Sequence, residues 1–332
     1  MSSAQQATPP KGRPAMPTVL DFDVQAGRYR SELLVHCYRM LGSVHEAEDL
    51  VQETMLRAWR AWERYDDGMA SMRTWLYKIA TNACLTALRG QAGRALPSGL
   101  GQANGDPDAP LVPSFETPWL QPFPDSRLTD PASQLVRRDG LRLALIAAMQ
   151  LLPAKQRAVL ILRDVLEFSA AEVAQQLDTS VAAVNSALQR ARAGVSASEG
   201  DILEPDDSAV KDAIDRYIRA FEAADVATLV SLLTEDAVLE MPPVPFWVLG
   251  RADYGRFIDR VFATRGTHWR LVPTSANAQP ALVAYCRDET GTYRLHTLQV
   301  FTVTPAGIAR NVVFRDDDVF AAFGLNPTID HH

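Results

Sequence analysis

Residues 178–195, DTSVAAVNSALQRARAGV, carry two arginines, Arg190 and Arg192, as their only charges after Asp178. Val181, Val184, Leu188 and Val195 recur at helical spacing, which turns Ala182, Ala183, Asn185, Ser186 and Gln189 outward. Thr179 or Ser180 can cap such a helix by accepting from a free amide of its first turn. An outer face of small and amide side chains can press closely against another surface, with guanidinium groups following at its far end. Read alone, the segment is also an ordinary amphipathic helix. Three other groups invite the same question. Glu46, Asp49 and Glu53 share one outer helical face, suited to a basic partner or simply to solvent. The stretch RAWERYDDGMASMRTWLYKIATN (60–82) mixes aromatic and basic side chains. Its Trp75, Leu76, Ile79 and Ala83 side read as core, Arg73, Tyr77, Lys78 and Asn82 as outward, and Trp59 and Trp62 as packing. Last, Tyr217, Asp236, Glu240, Arg294 and His296 are polar groups of a kind used in proton transfer. Catalysis needs an acid and a base converging within hydrogen-bond reach, and nothing in their spacing provides it.

The elements that position these groups fall into blocks. Residues 1–20 read as a disordered tail, 21–90 as a helical unit, 91–134 as a Gly- and Pro-punctuated linker, and 135–197 as a second helical unit. A short polar connector (198–207) leads to a third block, 208–328. The chain of 332 residues has net charge −7, but 28–90 carries 9 basic and 8 acidic side chains, 135–195 carries 8 and 5, and 206–330 carries 12 and 17. The middle block is therefore locally positive, and screening keeps such effects local. The acidic balance argues against non-specific coating of nucleic acid. Cys37, Cys84 and Cys286 are far apart with no CxxC, so neither a zinc site nor a disulfide framework is expected, and a reducing cytoplasm suits the chain. No apolar run is long enough for a membrane span. No metal or cofactor is expected.

Upstream of the opening segment, Ser169 and Glu172 form the capping box S-A-A-E before a short helix over 170–177 with Val173, Ala174 and Leu177 inward. Asp178 to Ser180 then make a tight turn. Two helices so joined make a helix-turn-helix, whose second helix enters the major groove with small leading residues on base edges and later arginines on phosphates. A plain helical hairpin is the rival reading. Ser43 and Glu46 form a second capping box, opening a helix with the inner stripe Ala47, Leu50, Val51, Thr54 and Ala58.

The segment YRSELLVHCYRMLGSVHEAEDLVQETMLRAWRAWERYDDGMASMRTWLYKIATNACLTALRG closely resembles region 2 of RNA polymerase sigma factors of the extracytoplasmic-function (group 4) type. LPAKQRAVLILRDVLEFSAAEVAQQLDTSVAAVNSALQRARA resembles their region 4. The resemblance implies two all-α sigma domains, a region 2 bundle and a region 4 helix-turn-helix. It places Asp49, Gln52 and Glu53 on the clamp helices of the β′ subunit of core RNA polymerase, and region 4 on the flap of the β subunit. The loop near 65–72 would capture a flipped base of the −10 element, with Tyr65, Arg73, Tyr77, Lys78 and Asn82 gripping the unwound strand. Ser180, Ala182, Ala183, Asn185, Ser186, Gln189, Arg190 and Arg192 would read the −35 element of promoter DNA. Where many members carry basic residues in the middle of the last helix, this chain has Asn185 and Ala187, so fewer phosphate or guanine contacts follow. The linker, Trp119 to Pro124 included, would thread polymerase toward the RNA path.

The third block opens with a helix burying Val210, Ile214, Phe221 and either Tyr217 or Ile218. A second helix (225–233), a strand into a Pro-rich turn, a helix (251–263) and strands in ALVAYCRD, YRLHTLQVFTV and GIARNVVFRD follow. This is an α+β cone with helices on one face of a curved sheet. It resembles the SnoaL-like branch of the NTF2-like superfamily, which implies a pocket with Tyr217, Phe246, Trp247 and His296 as candidate lining. A small-molecule ligand and an anti-sigma partner are both open as further partners. The favoured function is a sigma subunit without covalent chemistry of its own, modulated by its cone. The alternatives are a helix-turn-helix regulator with a ligand-binding domain, and an NTF2-like enzyme with a DNA-binding localiser.

Overall fold

The computed structural model describes residues 19–128, 140–195 and 207–330. The expected tail up to residue 18, linker residues 129–134, most of the expected connector and His331-His332 lie outside the described residues. Helices α1 (Val19–Ala26), α2 (Arg30–Leu41), α3 (Val44–Ala61) and α4 (Met72–Ala87) form the first bundle. Leu33, Cys37, Met40, Ala47, Val51, Leu76 and Cys84 are its buried centre. α2 stops at Gly42, which takes φ 71° and donates its amide to the Tyr38 carbonyl at 2.7 Å. The Ser43 hydroxyl then caps α3 by accepting from the Glu46 amide. The expected box is only half made. The Glu46 carboxylate turns instead to Arg94 at 2.6 Å, and Ser43 Oγ donates to Gln121 Oε1 at 2.8 Å. A charge-assisted bond to a distant arginine outcompetes the local amide.

Residues 91–128 pack along both neighbours. Leu96, Leu120, Phe123 and Leu128 are buried in the same core as the helices. Glu48 holds Arg127 at 3.2 Å. On the other side, the Asn104 amide donates to the Trp247 carbonyl at 2.8 Å, the Ser114 amide to the Pro243 carbonyl at 2.9 Å, and Arg260 to the carbonyls of Pro107 and Ala109 at 2.8 Å each. In this arrangement Trp119 to Pro124 lie against protein and are not free to thread anything.

The second bundle comprises α5 (Leu143–Gln150), α6 (Ala154–Leu160) widening into a π-turn (Ile161–Val165), α7 (Ala170–Gln176) and α8 (Val181–Val195). Ser169 and Glu172 cap α7 reciprocally, as their spacing predicts.

The third unit contains α9 (Ser208–Glu222), α10 (Val226–Ser231), α11 (Arg251–Arg265) and α12 (Asp317–Ala322). Its strands are β1 (Leu233–Glu240), β2 (Trp247–Leu249), β3 (Trp269–Ala276), β4 (Gln279–Arg287), β5 (Tyr293–Thr304), β6 (Gly307–Phe314) and β7 (Thr328–Ile329). They run in the order β2-β1-β6-β5-β4-β3, with β7 on β5; β1 and β6 are parallel and the other pairs antiparallel. Strand β3 does not follow from the pattern of its sequence, because Pro273 interrupts it. Proline is tolerated there because β3 is an edge strand. On α9, Tyr217 rather than Ile218 faces inward.

The sheet is buried on both faces. Leu282, Ala284, Phe301 and Val303 point into the cone, whereas Ala281, Val283, Leu298 and Val300 belong to the core shared with the helical bundles. This is why the centre of β4, ALVAYC, reads as an unbroken apolar run instead of alternating with polar residues. Truncating Phe301 inside the cone should cost about 3–5 kcal/mol, and Leu298 on the shared face about 2–5 kcal/mol. Denaturant unfolding followed by hydrogen exchange should separate them: Phe301→Ala loosens the cone alone, and Leu298→Ala also lowers protection in the linker and helical bundles.

Candidate polymerase and promoter surfaces

On α3, Asp49, Gln52 and Glu53 are exposed, beside Leu56, which is 47% exposed. Glu53 pairs with Arg57 one turn on at 2.6 Å. Glu46 is drawn to Arg94, so the acidic face is narrower than its spacing suggests. What remains is a carboxylate pair with an apolar neighbour, open to a basic partner surface.

The face expected to hold single-stranded DNA is arranged differently. Tyr65 is half-buried, stacks on Trp62 with centroids 5.5 Å apart, and donates its hydroxyl to the Ala70 carbonyl at 3.1 Å. Tyr77 is fully buried, contrary to the outward reading, while Leu76 and Ala83 are buried and Trp75 and Ile79 are half-buried against the core. The reason is that α4 is covered on two sides. Tyr77 donates to Glu32 at 3.1 Å and meets Phe168 of the second bundle edge-on. Burial and the Glu32 carboxylate hold its phenol well above the usual range, so it stays protonated. Arg73 lies over the Phe168 ring at 4.7 Å and donates to the Leu166 carbonyl at 3.5 Å. Lys78 donates to the Gln175 carbonyl at 3.1 Å and meets Asp178 at 3.3 Å, inside the helix-turn-helix turn. Asn82 is half-buried. The second bundle thus occupies the cations of this face.

Beneath that contact lies a set of buried polar groups that no sequence motif announced. Arg157 is 3% exposed and donates to the carbonyls of Met149, Gln150 and Leu152 at the end of α5 at 2.9, 2.8 and 3.2 Å. It also donates to the Met40 carbonyl at the end of α2. Burial lowers its pKa to about 10, which leaves it charged at neutral pH. Arg39 donates to the Gly140 carbonyl at 2.9 Å, and Gln150 to the Arg39 carbonyl at 3.3 Å.

Helix α8 keeps its outer face free. Ala182, Ala183, Asn185, Ser186, Gln189 and Arg190 are exposed over buried Val184, Leu188, Ala191 and Val195. Ser180 is exposed and supplies the cap, accepting from the Ala183 amide at 3.2 Å. Val181 is 44% exposed, not inward, because it sits in the first turn beyond the reach of the core. Arg192 is held by both oxygens of Asp164 at 2.7 Å. Its guanidinium is therefore neutralised where a phosphate contact was expected.

In the cone, Tyr217, Tyr254, Gln299 and Asn311 form a buried hydrogen-bonded cluster, with Asn311 donating to Tyr254 at 2.8 Å and to Gln299 at 3.1 Å. A cavity of about 40 Å³ lies beside it, lined by His296, Gln299, Asn311 and apolar side chains. Of the four expected pocket residues only His296 lines this space. Tyr217 sits in the cluster, Phe246 packs on Phe257, and the Trp247 backbone joins the linker. Burial, with Arg315 and Arg265 nearby, lowers His296 to about 4, so it is neutral at pH 7. Glu240 pairs with Arg310 and Ser98, Arg294 with Asp288, and Asp236 is exposed. These groups do not converge on His296. Among the described residues, no group of three His, Cys, Asp or Glu could hold a metal ion, and no helix is long and apolar enough to cross a membrane.

Comparison with known proteins accounts for the three units. Residues 26–94 match Sigma-70 region 2, residues 142–193 match Sigma-70 region 4, and residues 214–311 match the SnoaL-like domain. The chain is 46% identical to the ECF RNA polymerase sigma factor SigG of Mycobacterium tuberculosis over 92% of this chain and 84% of that one. It is 32% identical to SigJ of the same organism over 62% of this chain. The crystal structure of SigJ superimposes with a TM-score of 0.64 at 25% identity, covering 93% of this chain and all of that one. With both sigma regions and the C-terminal cone matched in order, the chain belongs to the ECF RNA polymerase sigma factors.

Proposed function

We propose that the chain recruits core RNA polymerase through Asp49, Gln52 and Glu53 on α3 and reads the −35 element with the outer face of α8. The 65–72 loop and α4 hold the −10 strand, and the SnoaL-like domain biases the chain toward the closed arrangement described above. The observation that carries the regulatory part is the occupation of Arg73 and Lys78 by region 4 while the linker is fastened to the cone. Those cations cannot meet a DNA strand until region 4 moves away. The chain acts where polymerase acts, in the cytoplasm. Its cone works as a regulator rather than an enzyme, a reading favoured by a neutral His296 without an acid partner and by a cavity of about 40 Å³.

In transcription with core polymerase, a chain ending near Glu204 should differ from residues 1–332; equal output at all protein concentrations would remove the regulatory role. Reversing Asp49 and Glu53 to lysine should weaken core binding, by roughly 2–5 kcal/mol if the contact is desolvated and less at a rim. Sedimentation with core polymerase checks this, and unchanged affinity of the folded variant would exclude the α3 face. Asp178→Asn removes the Lys78 ion pair, leaves its bond to the Gln175 carbonyl and alters no DNA-facing residue, and asparagine tolerates the left-handed φ of 48° at that turn. An exposed pair of this kind contributes about 0.2–1 kcal/mol. Open-complex formation should therefore rise modestly, by up to about fivefold, in a permanganate footprint.

A further inference from the structure

The turn joining β3 to β4 is among the most deeply buried places of the described residues. Ala276 and Asn277 are fully buried and Ala278 is 6% exposed. Asn277 and Ala278 take φ 56° and 53°, the consecutive left-handed pair of a tight two-residue hairpin. The tip enters a socket with walls from region 2, the linker and the start of region 4.

Polar atoms of the tip find partners on all three walls. The Asn277 amide donates to the Phe123 carbonyl at 2.9 Å, and the Phe123 amide donates back to Asn277 Oδ1 at 2.7 Å. Asn277 Nδ2 donates to the Tyr38 hydroxyl at 2.9 Å and to the Leu141 carbonyl at 2.7 Å. Tyr38 in turn donates to the Gln121 carbonyl at 2.7 Å. The Ala278 amide donates to Asp125 Oδ1 at 2.9 Å, and the Leu143 amide, in the first turn of α5, donates to Gln279 Oε1 at 2.8 Å. Three consecutive residues therefore tie the cone to region 2, linker and region 4 at once.

Residue chemistry narrows what can stand at 277. Glycine accepts the backbone angle but offers no side chain. Aspartate keeps the acceptor for Phe123 but loses both Nδ2 donors and buries a carboxylate against the Leu141 carbonyl. Asparagine tolerates the left-handed region and supplies acceptor and donors together. Without it, a hydroxyl, an amide and a carbonyl stay buried with unmet hydrogen-bonding capacity, which favours opening of the socket.

We infer that the β3–β4 hairpin tip is the docking element by which the SnoaL-like domain holds regions 2 and 4 together, with Asn277 as its central contact. The surface it fits is the socket of Tyr38, Phe123, Asp125, Leu141 and Leu143, and its partner is intramolecular. This rests on the regulatory reading above but adds where the restraint is applied.

The test uses the full chain. Asn277→Gly attacks the latch from the cone and Tyr38→Phe from region 2; Glu289→Ala, at the exposed β4–β5 turn, is the control. Hydrogen exchange by mass spectrometry should show about tenfold or greater acceleration at 119–128 and 141–146 in both latch variants, as expected when about one buried hydrogen bond is lost. Strands β4 to β6 should stay protected, which separates release from unfolding. Transcription with core polymerase should shift in the direction seen for the chain ending near Glu204. Unchanged exchange in both latch variants overturns the inference. Accelerated exchange with unchanged transcription also overturns it if the truncated chain does differ, and the regulatory reading then stands. If truncation itself has no effect, the regulatory reading fails, and the exchange result alone decides whether the tip holds the modules together.

Discussion

Two helices, one from each sigma region, end at the same guanidinium. The last carbonyls of any helix lack partners within it and carry its partial negative charge. Arg157 gathers those of α5 together with the Met40 carbonyl of α2, so the two regions share one cation. Much else follows from that meeting. With the ends of α2 and α5 fixed together, region 4 must lie across α4, which brings Phe168 onto Arg73 and the helix-turn-helix turn onto Lys78. Gly42 can turn the chain out of α2 only because it lacks a Cβ, which would lie 2.9 Å from Leu120 of the linker.

The closed arrangement treats the functional surfaces unequally. The α3 face and the outer face of α8 remain accessible, and the side of α4 expected to face the −10 strand does not. On the proposed assignment, such a chain presents itself to polymerase and to duplex before it can hold an open strand. The contacts that cover α4 are the packing of Phe168 on Tyr77, single hydrogen bonds, an exposed ion pair and a cation over a ring. The polar ones are weak enough to exchange for other partners, whereas the Arg157 cluster and the hairpin socket are buried and specific. Hence the geometry separates a part that is easily displaced from parts that set its resting position.

The sequence made the local features legible and left the long-range ones hidden. The capping box at Ser169, the break at Gly42, the exposed small-residue face of α8 and the inward stripe of α9 all rest on contacts within a few residues. Tyr77 was misread because a helix buried on two sides no longer has one polar face. Glu46 left its capping box for an arginine 48 residues away, and Arg192 turned to Asp164, 28 residues away. Strand β3 was concealed by Pro273. Asn277 gave no signal, because the strand that precedes it was itself hidden. Its partners are mostly backbone groups, which have no residue code. The expected pocket dispersed for a related reason: Tyr217 and Phe246 are large side chains that fill the cone instead of surrounding an opening, and Trp247 joins the linker.

The position of the hairpin tip in the chain also orders events in time. Residue 277 is made 82 residues after the end of α8, which at ribosomal speed is a delay of about 4–16 seconds. During that interval regions 2 and 4 exist without the element that fills their socket. A newborn chain is consequently unlatched, and a finished one is latched. On that assignment, every chain passes through an unlatched interval whose length is set by the rate of synthesis.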